Sequence, residues 1–195
     1  MALTQAKRFT LEEYHRLGEI GFFHEDDRIE LIRGEIVQMS AKGTRHSVCT
    51  NLLNRELSKL VGERATLRIQ DPIILPSTSE PEPDFTIVQN RSDDYLSAHP
   101  IPADILLVIE ILDSSLDYDK NVKLPLYAEA GIPDYWIFNL IDNWLEVCTE
   151  PSELSPGRFD YLNKRLVLPN QSIALPCFPD LFIDLTKVFP RKQNS

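Results

Sequence analysis

The stretch Ile105-Leu-Leu-Val-Ile-Glu110-Ile-Leu112 decides the fold. It has the length of a strand and is apolar except at Glu110, so we expect a central β-strand that is buried on both faces. A lone ionised carboxylate is costly to bury, so Glu110 is expected to be paired or bound to a metal ion. The competing interpretation is a glutamate at the end of the strand, where it meets solvent.

Asp84 is the predicted partner of Glu110. It follows the proline-rich stretch Ser79-Glu-Pro-Glu-Pro-Asp84 and precedes a strand predicted at 85–88. If the two strands are neighbours, the two carboxylates could bind one Mg²⁺ (or Mn²⁺) ion, with water as the remaining ligands. Taken alone, Asp84 is better explained as a turn residue after a proline.

A helix predicted at 119–130 adds a cation to this pair. Lys123 lies four residues after Asp119, which can cap the helix, and could reach the carboxylates to position a water molecule or a phosphate. Lys120 is the competing candidate. The alternative is that Asp119 and Lys123 form an ordinary surface pair, worth about a few tenths of a kcal/mol.

The remaining pattern indicates an α/β (α+β) layered fold. Thr10 and Glu13 form a capping box for the first helix, which should end at Gly18, and Arg33-Gly34 is a turn between two short strands within 28–39. Further elements are predicted as a helix at 46–61 and strands at 66–69, 73–75, 135–138, 144–148, 166–168 and 173–175. The segment 89–102 is predicted as a surface loop or a short helix.

Bulk composition limits the class of protein. A chain of 195 residues fits a single domain over 1–195, and no apolar run is long enough to cross a bilayer. Three widely spaced cysteines and the absence of a secretory signal favour a reduced, cytoplasmic setting. The net charge of −10 argues against a nucleic-acid partner, although a carboxylate site itself adds acidic residues. A homodimer is compatible with the sequence.

An ordered set of motifs along the chain resembles the Uma-type (DUF820-like) endonuclease family of the PD-(D/E)xK, restriction-endonuclease-like superfamily. The resemblance covers nearly the whole chain. It rests on Arg28-Ile-Glu-Leu-Ile-Arg-Gly34-Glu-Ile, His46, Pro83-Asp84, Glu110-Ile-Leu112, Asp119-Lys-Asn-Val-Lys123, Tyr127-Ala and Tyr135-Trp-Ile137.

The resemblance implies a mixed β-sheet flanked by helices and a Mg²⁺-dependent phosphodiesterase site. It implies that Asp84 and Glu110 are metal ligands, that Lys123 is the catalytic lysine and that Glu30 is a further acidic member. An outward-facing residue of a hairpin strand is an equally good interpretation of Glu30. His46 matches a family position, but a histidine that opens a helix is more often a cap or a surface residue.

A missing lysine and the net charge of −10 define a second hypothesis. Leu112 stands two residues after Glu110, where the superfamily has its lysine. Pro125 is also expected to kink or disrupt the helix that carries Lys123. The first hypothesis is a Mg²⁺-dependent endonuclease that acts on DNA. The alternative is a catalytically inactive protein that keeps the nuclease fold as a binding or regulatory module.

Overall fold

A computed structural model describes residues 6–24, 26–113 and 118–190. Its helices and strands follow in chain order: α1 (Leu11–Glu19), β1 (Ile29–Ile32), β2 (Glu35–Gln38), α2 (Thr44–Val61), β3 (Thr66–Ile69), β4 (Phe85–Val88), β5 (Ile105–Leu112), α3 (Leu124–Glu129), β6 (Asp134–Asn139), β7 (Trp144–Ser155), β8 (Arg158–Val167), β9 (Ser172–Leu175) and β10 (Phe178–Asp184). Short 3₁₀ turns lie at Pro102–Asp104 and Leu185–Lys187, and a π-helical turn lies at Asp119–Lys123.

The centre of the molecule is a six-stranded sheet in the order β3-β4-β5-β6-β7-β8. The strand β5 pairs antiparallel with β4 and parallel with β6, so the sheet is mixed, and helices flank it. This confirms the predicted mixed sheet between helices. The parallel step from β5 to β6 requires a crossover connection, and α3 lies within it.

Apolar residues of β5 point alternately to two hydrophobic clusters. Leu107 and Ile109 pack in the cluster that includes Leu53 of α2. Val108 and Leu112 belong to the cluster on the other side, with Tyr127 of α3. Burial on both faces explains why β5 has no polar residue except Glu110.

Local turn chemistry at the N-terminal end is as predicted. Thr10 and Glu13 form the capping box of α1, which ends at Glu19 rather than at Gly18. The hairpin of β1 and β2 turns at Arg33 and Gly34, both with positive φ. The turn is covered by the preceding segment, because the amide of Phe9 donates to the Gly34 carbonyl over 2.8 Å.

Several strand predictions were wrong. The segment 73–75 is not a strand, because its amides donate to two different segments: Ile73 and Leu75 to Pro81 and Ser79, and Ile74 to Pro100. The hairpin strands β7 and β8 are far longer than predicted, since Leu162 to Leu166 are exposed and show no alternation. The strand β10 was missed because it contains Pro179; its pairing with β9 accommodates the proline through a shift in register between Phe178 and Phe182.

The predicted helix at 119–130 is disrupted in its first part, which is one of the two effects expected of Pro125. A π-helical turn runs over Asp119–Lys123, and the α-helix begins at Leu124. Pro125 therefore lies in the first turn of α3, where its missing N–H group leaves no hydrogen bond unmade. The predicted capping by the Asp119 side chain lies outside what the structure describes.

Within the described ranges, no helix is both long enough and apolar enough to cross a membrane.

Candidate active site

The register of β4 and β5 places Asp84 beside Glu110. Phe85 faces Ile109, so the next pair along the two strands joins Asp84 and Glu110. Main-chain hydrogen bonds confirm this position: the Asp84 amide donates to Glu110 Oε2 over 3.3 Å, and the Ile111 amide donates to Asp84 Oδ2 over 2.9 Å. The structure therefore brings together the two carboxylates that the sequence paired.

Glu110 is buried, at 4% exposure, and is held by donors from the following helix. Lys123 Nζ lies 3.0 Å from Glu110 Oε1, and the Tyr127 hydroxyl donates to the same oxygen over 2.8 Å. Burial, followed by the charge of Glu110, raises the pKa of Tyr127 well above its ordinary value, so its hydroxyl remains a proton donor. Sequence reasoning missed Tyr127 as a contact of this carboxylate.

Lys123 reaches the site from the last position of the π-helical turn. It is itself buried, and its Nζ also lies 3.4 Å from Oε2 of Glu30. The ammonium group thus lies between two buried carboxylates, an arrangement in which each charge offsets the desolvation of the other. In contrast, Lys120 Nζ lies 3.0 Å from Glu146 of β7 and does not line the site cavity.

Glu30 of β1 points inward and is 1% exposed. In addition to Lys123, its carboxylate accepts hydrogen bonds from the Tyr118 hydroxyl (3.0 Å) and the Glu82 amide (3.2 Å). Of the two interpretations of Glu30, the outward-facing hairpin residue is therefore excluded by position. The catalytic role remains a hypothesis.

Asp84 has cationic and neutral donors around it. His46 Nε2 lies 3.0 Å from Oδ2, while Gln70 Nε2 and Lys42 Nζ lie 3.2 and 3.6 Å from Oδ1. Burial alone would raise the pKa of Asp84, but His46, the Ile111 amide and Lys42 together hold it below its ordinary value. Asp84 is therefore a carboxylate, the form that can bind a cation, at neutral pH.

His46 is neither a helix cap nor a surface residue, so the interpretation favoured by its sequence context is wrong. The helix α2 begins two residues earlier, at Thr44, and Gly43 is its N-cap. The His46 side chain is buried, and Thr50 Oγ1 lies 3.3 Å from its Nδ1. The Thr50 contact on one ring nitrogen orients the other nitrogen towards Asp84.

Glu30, His46, Asp84, Glu110 and Lys123 line one cavity of about 240 Å³. Its wall also contains Arg28, Lys42 and Glu82, which sequence reasoning did not identify. Burial lowers the pKa of Lys42 and raises that of Glu82. A signal for Glu82 was present: it precedes Asp84 by two residues in an extended, proline-flanked segment, a spacing that places alternate side chains on one side. Lys42 lies in a loop whose path the sequence does not specify.

The donor chemistry of Asp84 and Glu110 fits a hard divalent cation. Mg²⁺ is commonly held by one or two carboxylates and keeps several water ligands. Among the described residues, no group of three or more His, Cys, Asp or Glu side chains is arranged to surround one ion. A metal at this position would therefore rely on the two carboxylates and water, with Lys42 and Lys123 as the neighbouring cations.

Comparison with known proteins agrees with this architecture. The family model Uma2, described as “Putative restriction endonuclease”, matches residues 11–186. Among solved structures, the chain is similar to “a putative nuclease belonging to DUF820” from Anabaena variabilis, with 16% sequence identity and a TM-score of 0.70 over 93% of this chain and 97% of that chain. At this identity the likeness concerns the fold alone. No curated protein matches the chain. The resemblance found in the sequence is confirmed.

Proposed function

This chain belongs to the Uma2 family of the restriction-endonuclease type, and from this premise we propose that it is a Mg²⁺-dependent endonuclease that hydrolyses DNA phosphodiester bonds. The observation that carries the proposal is the meeting of Asp84, Glu110 and Lys123 in one cavity, from two adjacent strands and the following helical turn. Two carboxylates can hold a divalent metal ion, and a lysine can stabilise charge on a phosphate, so the three groups suit metal-assisted phosphate hydrolysis.

In this proposal Asp84 and Glu110 hold the metal ion. When bound, Mg²⁺ supplies a Lewis acid that activates water and stabilises charge on the phosphate. The protein positions its ligands in advance: His46 and the Ile111 amide orient Asp84, and Tyr127 orients Glu110. Such outer contacts typically change metal affinity or activity about 10–100-fold when removed.

Lys123 is proposed to orient the attacking water or a phosphate oxygen. Its ammonium group carries three donors and lines the cavity beside Glu110, 3.0 Å from Oε1. Glu30 would hold Lys123 in place through its contact with Nζ, and the Tyr118 hydroxyl would hold the Glu30 carboxylate. The loop residue Lys42, partly exposed at the cavity wall, is the cation best placed to contact a phosphate.

Cleavage of supercoiled plasmid by the purified chain, with Mg²⁺, with Mn²⁺ or with chelator, tests the proposal. We expect metal-dependent nicking or linearisation that Glu110→Gln and Asp84→Asn abolish, while thermal melts show that both variants fold. An absence of cleavage, or equal cleavage by the Glu110→Gln variant, would contradict the endonuclease proposal.

The net charge of −10 favours a second candidate, a nuclease-fold protein that binds or regulates without cleaving. Calorimetric titration with Mg²⁺ or Mn²⁺ distinguishes a binding module that needs the metal from one that does not. Metal binding that Asp84→Ala removes, without cleavage of any plasmid or oligonucleotide, would identify a metal-dependent binding module. No metal binding and no cleavage would identify a module that uses only the fold.

A further inference from the structure

The strand β8 lies at one edge of the six-stranded sheet, opposite the edge formed by β3. It spans ten residues, and only its β7 side is paired in the part of the chain that the structure describes. An edge of this length presents a row of main-chain donors and acceptors that favours pairing with another strand. The site cavity is formed elsewhere, by β1, β2, α2, β5 and the connecting segments.

The exposed edge strand β8 carries leucines that face solvent. Leu162 and Leu166 are 57% and 55% exposed, and Leu168, just beyond the strand, is 54% exposed. These leucines alternate with Asp160 and Lys164, so apolar and charged side chains of both signs share one row. Short length and a covering element are two ways in which edges are protected against pairing, and β8 has neither along Leu162 to Leu166, which are all exposed.

Symmetry limits how β8 could pair with a second copy. In an antiparallel pair, residues directly opposite each other form alternating hydrogen-bonded and non-hydrogen-bonded pairs. A two-fold axis between two copies of one strand must therefore lie midway between a residue and its own copy. Centring on Asp160, Lys164 or Arg165 places like charges opposite each other. Centring on Tyr161 places Arg158 opposite Lys164, and centring on Asn163 leaves Asp160 opposite Leu166.

Among registers centred on residues 160 to 165, which pair the most of β8, centring on Leu162 is the arrangement that matches charge. It places Leu162 against its own copy and Asp160 against Lys164 of the second copy, twice by symmetry. Within each chain these two side chains already form an ion pair of 2.6 Å, so the four charges would alternate around Leu162. Opposite charges that face each other across strands stabilise pairing, and like charges oppose it.

We propose that the protein forms a two-fold dimer through antiparallel pairing of β8 with β8 of a second copy, centred on Leu162. This pairing joins two six-stranded sheets into one continuous sheet of twelve strands. It is independent of the proposed nuclease activity, because no β8 residue lines the site cavity.

Sedimentation velocity of the full chain across protein concentration tests the dimer. We expect a concentration-dependent dimer for the unaltered chain. Lys164→Asp and Asp160→Lys should each weaken it by about tenfold or more, because each places like charges in both facing pairs. Lys59→Asp on α2 is the matched charge reversal away from β8 and should leave the dimer unchanged.

Sedimentation velocity on a mixture of the two charge-reversed variants decides whether these two residues face each other. In the mixture, the lysine introduced by Asp160→Lys in one chain faces the aspartate introduced by Lys164→Asp in the other, so both facing pairs again carry opposite charges. The two variants should therefore form a heterodimer more tightly than either variant forms a homodimer. This result cannot come from altered folding of either chain. A monomer at all concentrations up to roughly 100 µM, or a dimer indifferent to both reversals and to Leu162→Asp, would overturn the proposal.

Discussion

Tyr127 and Lys123 lie one helical turn apart and donate hydrogen bonds to the same atom, Oε1 of Glu110, over 2.8 and 3.0 Å. The second oxygen, Oε2, accepts from the Asp84 amide. Contacts on both oxygens fix the orientation of a carboxylate that is almost fully buried. The geometry of Glu110 is therefore set by the helix that follows β5 as much as by β5 itself.

Tyr127→Phe tests this orientation because it removes one hydroxyl and retains the ring that packs edge-on against Tyr135. We expect a loss of about 1–2 kcal/mol in the free energy of unfolding, since a buried carboxylate oxygen loses a donor. We also expect Mg²⁺ affinity or cleavage rate to fall roughly tenfold. Chemical denaturation, calorimetric titration and plasmid cleavage measure these quantities.

Tyr161→Phe is the matched control. The Tyr161 hydroxyl is also buried and donates to the Ile132 carbonyl over 3.0 Å, away from the cavity. It should cost a similar amount of stability and leave metal affinity unchanged. If the two variants lose metal affinity equally, Tyr127 acts only through stability.

The two lysines of the π-helical turn should behave differently. Lys123→Gln removes the ammonium group that contacts both Glu30 and Glu110, so we expect about 3 kcal/mol of lost stability and loss of cleavage. Lys120→Gln removes a partly exposed pair with Glu146 and should change stability by less than about 1 kcal/mol. Urea unfolding and plasmid cleavage on the two variants compare them directly.

A cleavage defect in Lys120→Gln equal to that in Lys123→Gln would show that the turn, rather than the Lys123 ammonium, supports activity.

The carboxylate pair could be predicted because its signals are local to strands. Glu110 interrupts an apolar run in β5, and Asp84 directly precedes the neighbouring strand β4. The register between β4 and β5 then places the two residues beside each other. The source of the lysine could be named only through the family resemblance. The position of Lys123 depends on the π-helical turn that precedes Pro125. Proline disfavours an α-helical turn directly before it, because it lacks an N–H group and its ring clashes with the carbonyl four residues earlier. Helical periodicity in the sequence did not indicate this π-helical turn.

The inward orientation of His46 and Glu30 could not be decided from the sequence, because both depend on long-range packing. His46 meets Asp84 across 38 residues, and Glu30 meets Lys123 across 93 residues. Likewise, β8 lacks the alternation of a half-buried strand, since most of its side chains face solvent at the sheet edge. Apolar and polar residues alternate along a strand when one face of the strand is buried. A strand with both faces exposed does not need this alternation.

The turn at Gly34 should not accept a side chain. Gly34 has a φ of +75°, and a Cβ there would lie 2.9 Å from the Phe9 carbonyl oxygen and 2.9 Å from Arg8 Cβ. We expect Gly34→Ala to lower the free energy of unfolding by about 1–3 kcal/mol, because strain and backbone contact add. Gly18→Ala in α1, where a Cβ has open space, should instead stabilise the chain by up to about 1 kcal/mol. Equal effects in thermal melts would contradict this assignment.

Asp134, the first residue of β6, should give the stability of the protein a specific dependence on pH. Burial raises its pKa from 3.8 to about 6. Between these values the folded state binds more protons than the unfolded state, so stability falls as pH rises and the full cost is present above about pH 6.

Asp134→Asn removes this cost. We expect its melting temperature to exceed that of the unaltered chain at about pH 7.5, above both pKa values, with the difference shrinking to nothing at about pH 4. Asp94→Asn, at an exposed loop carboxylate, is the matched control and should show no such trend. A difference for Asp134→Asn that is the same at both pH values would mean that the amide acts through packing rather than through the lost charge.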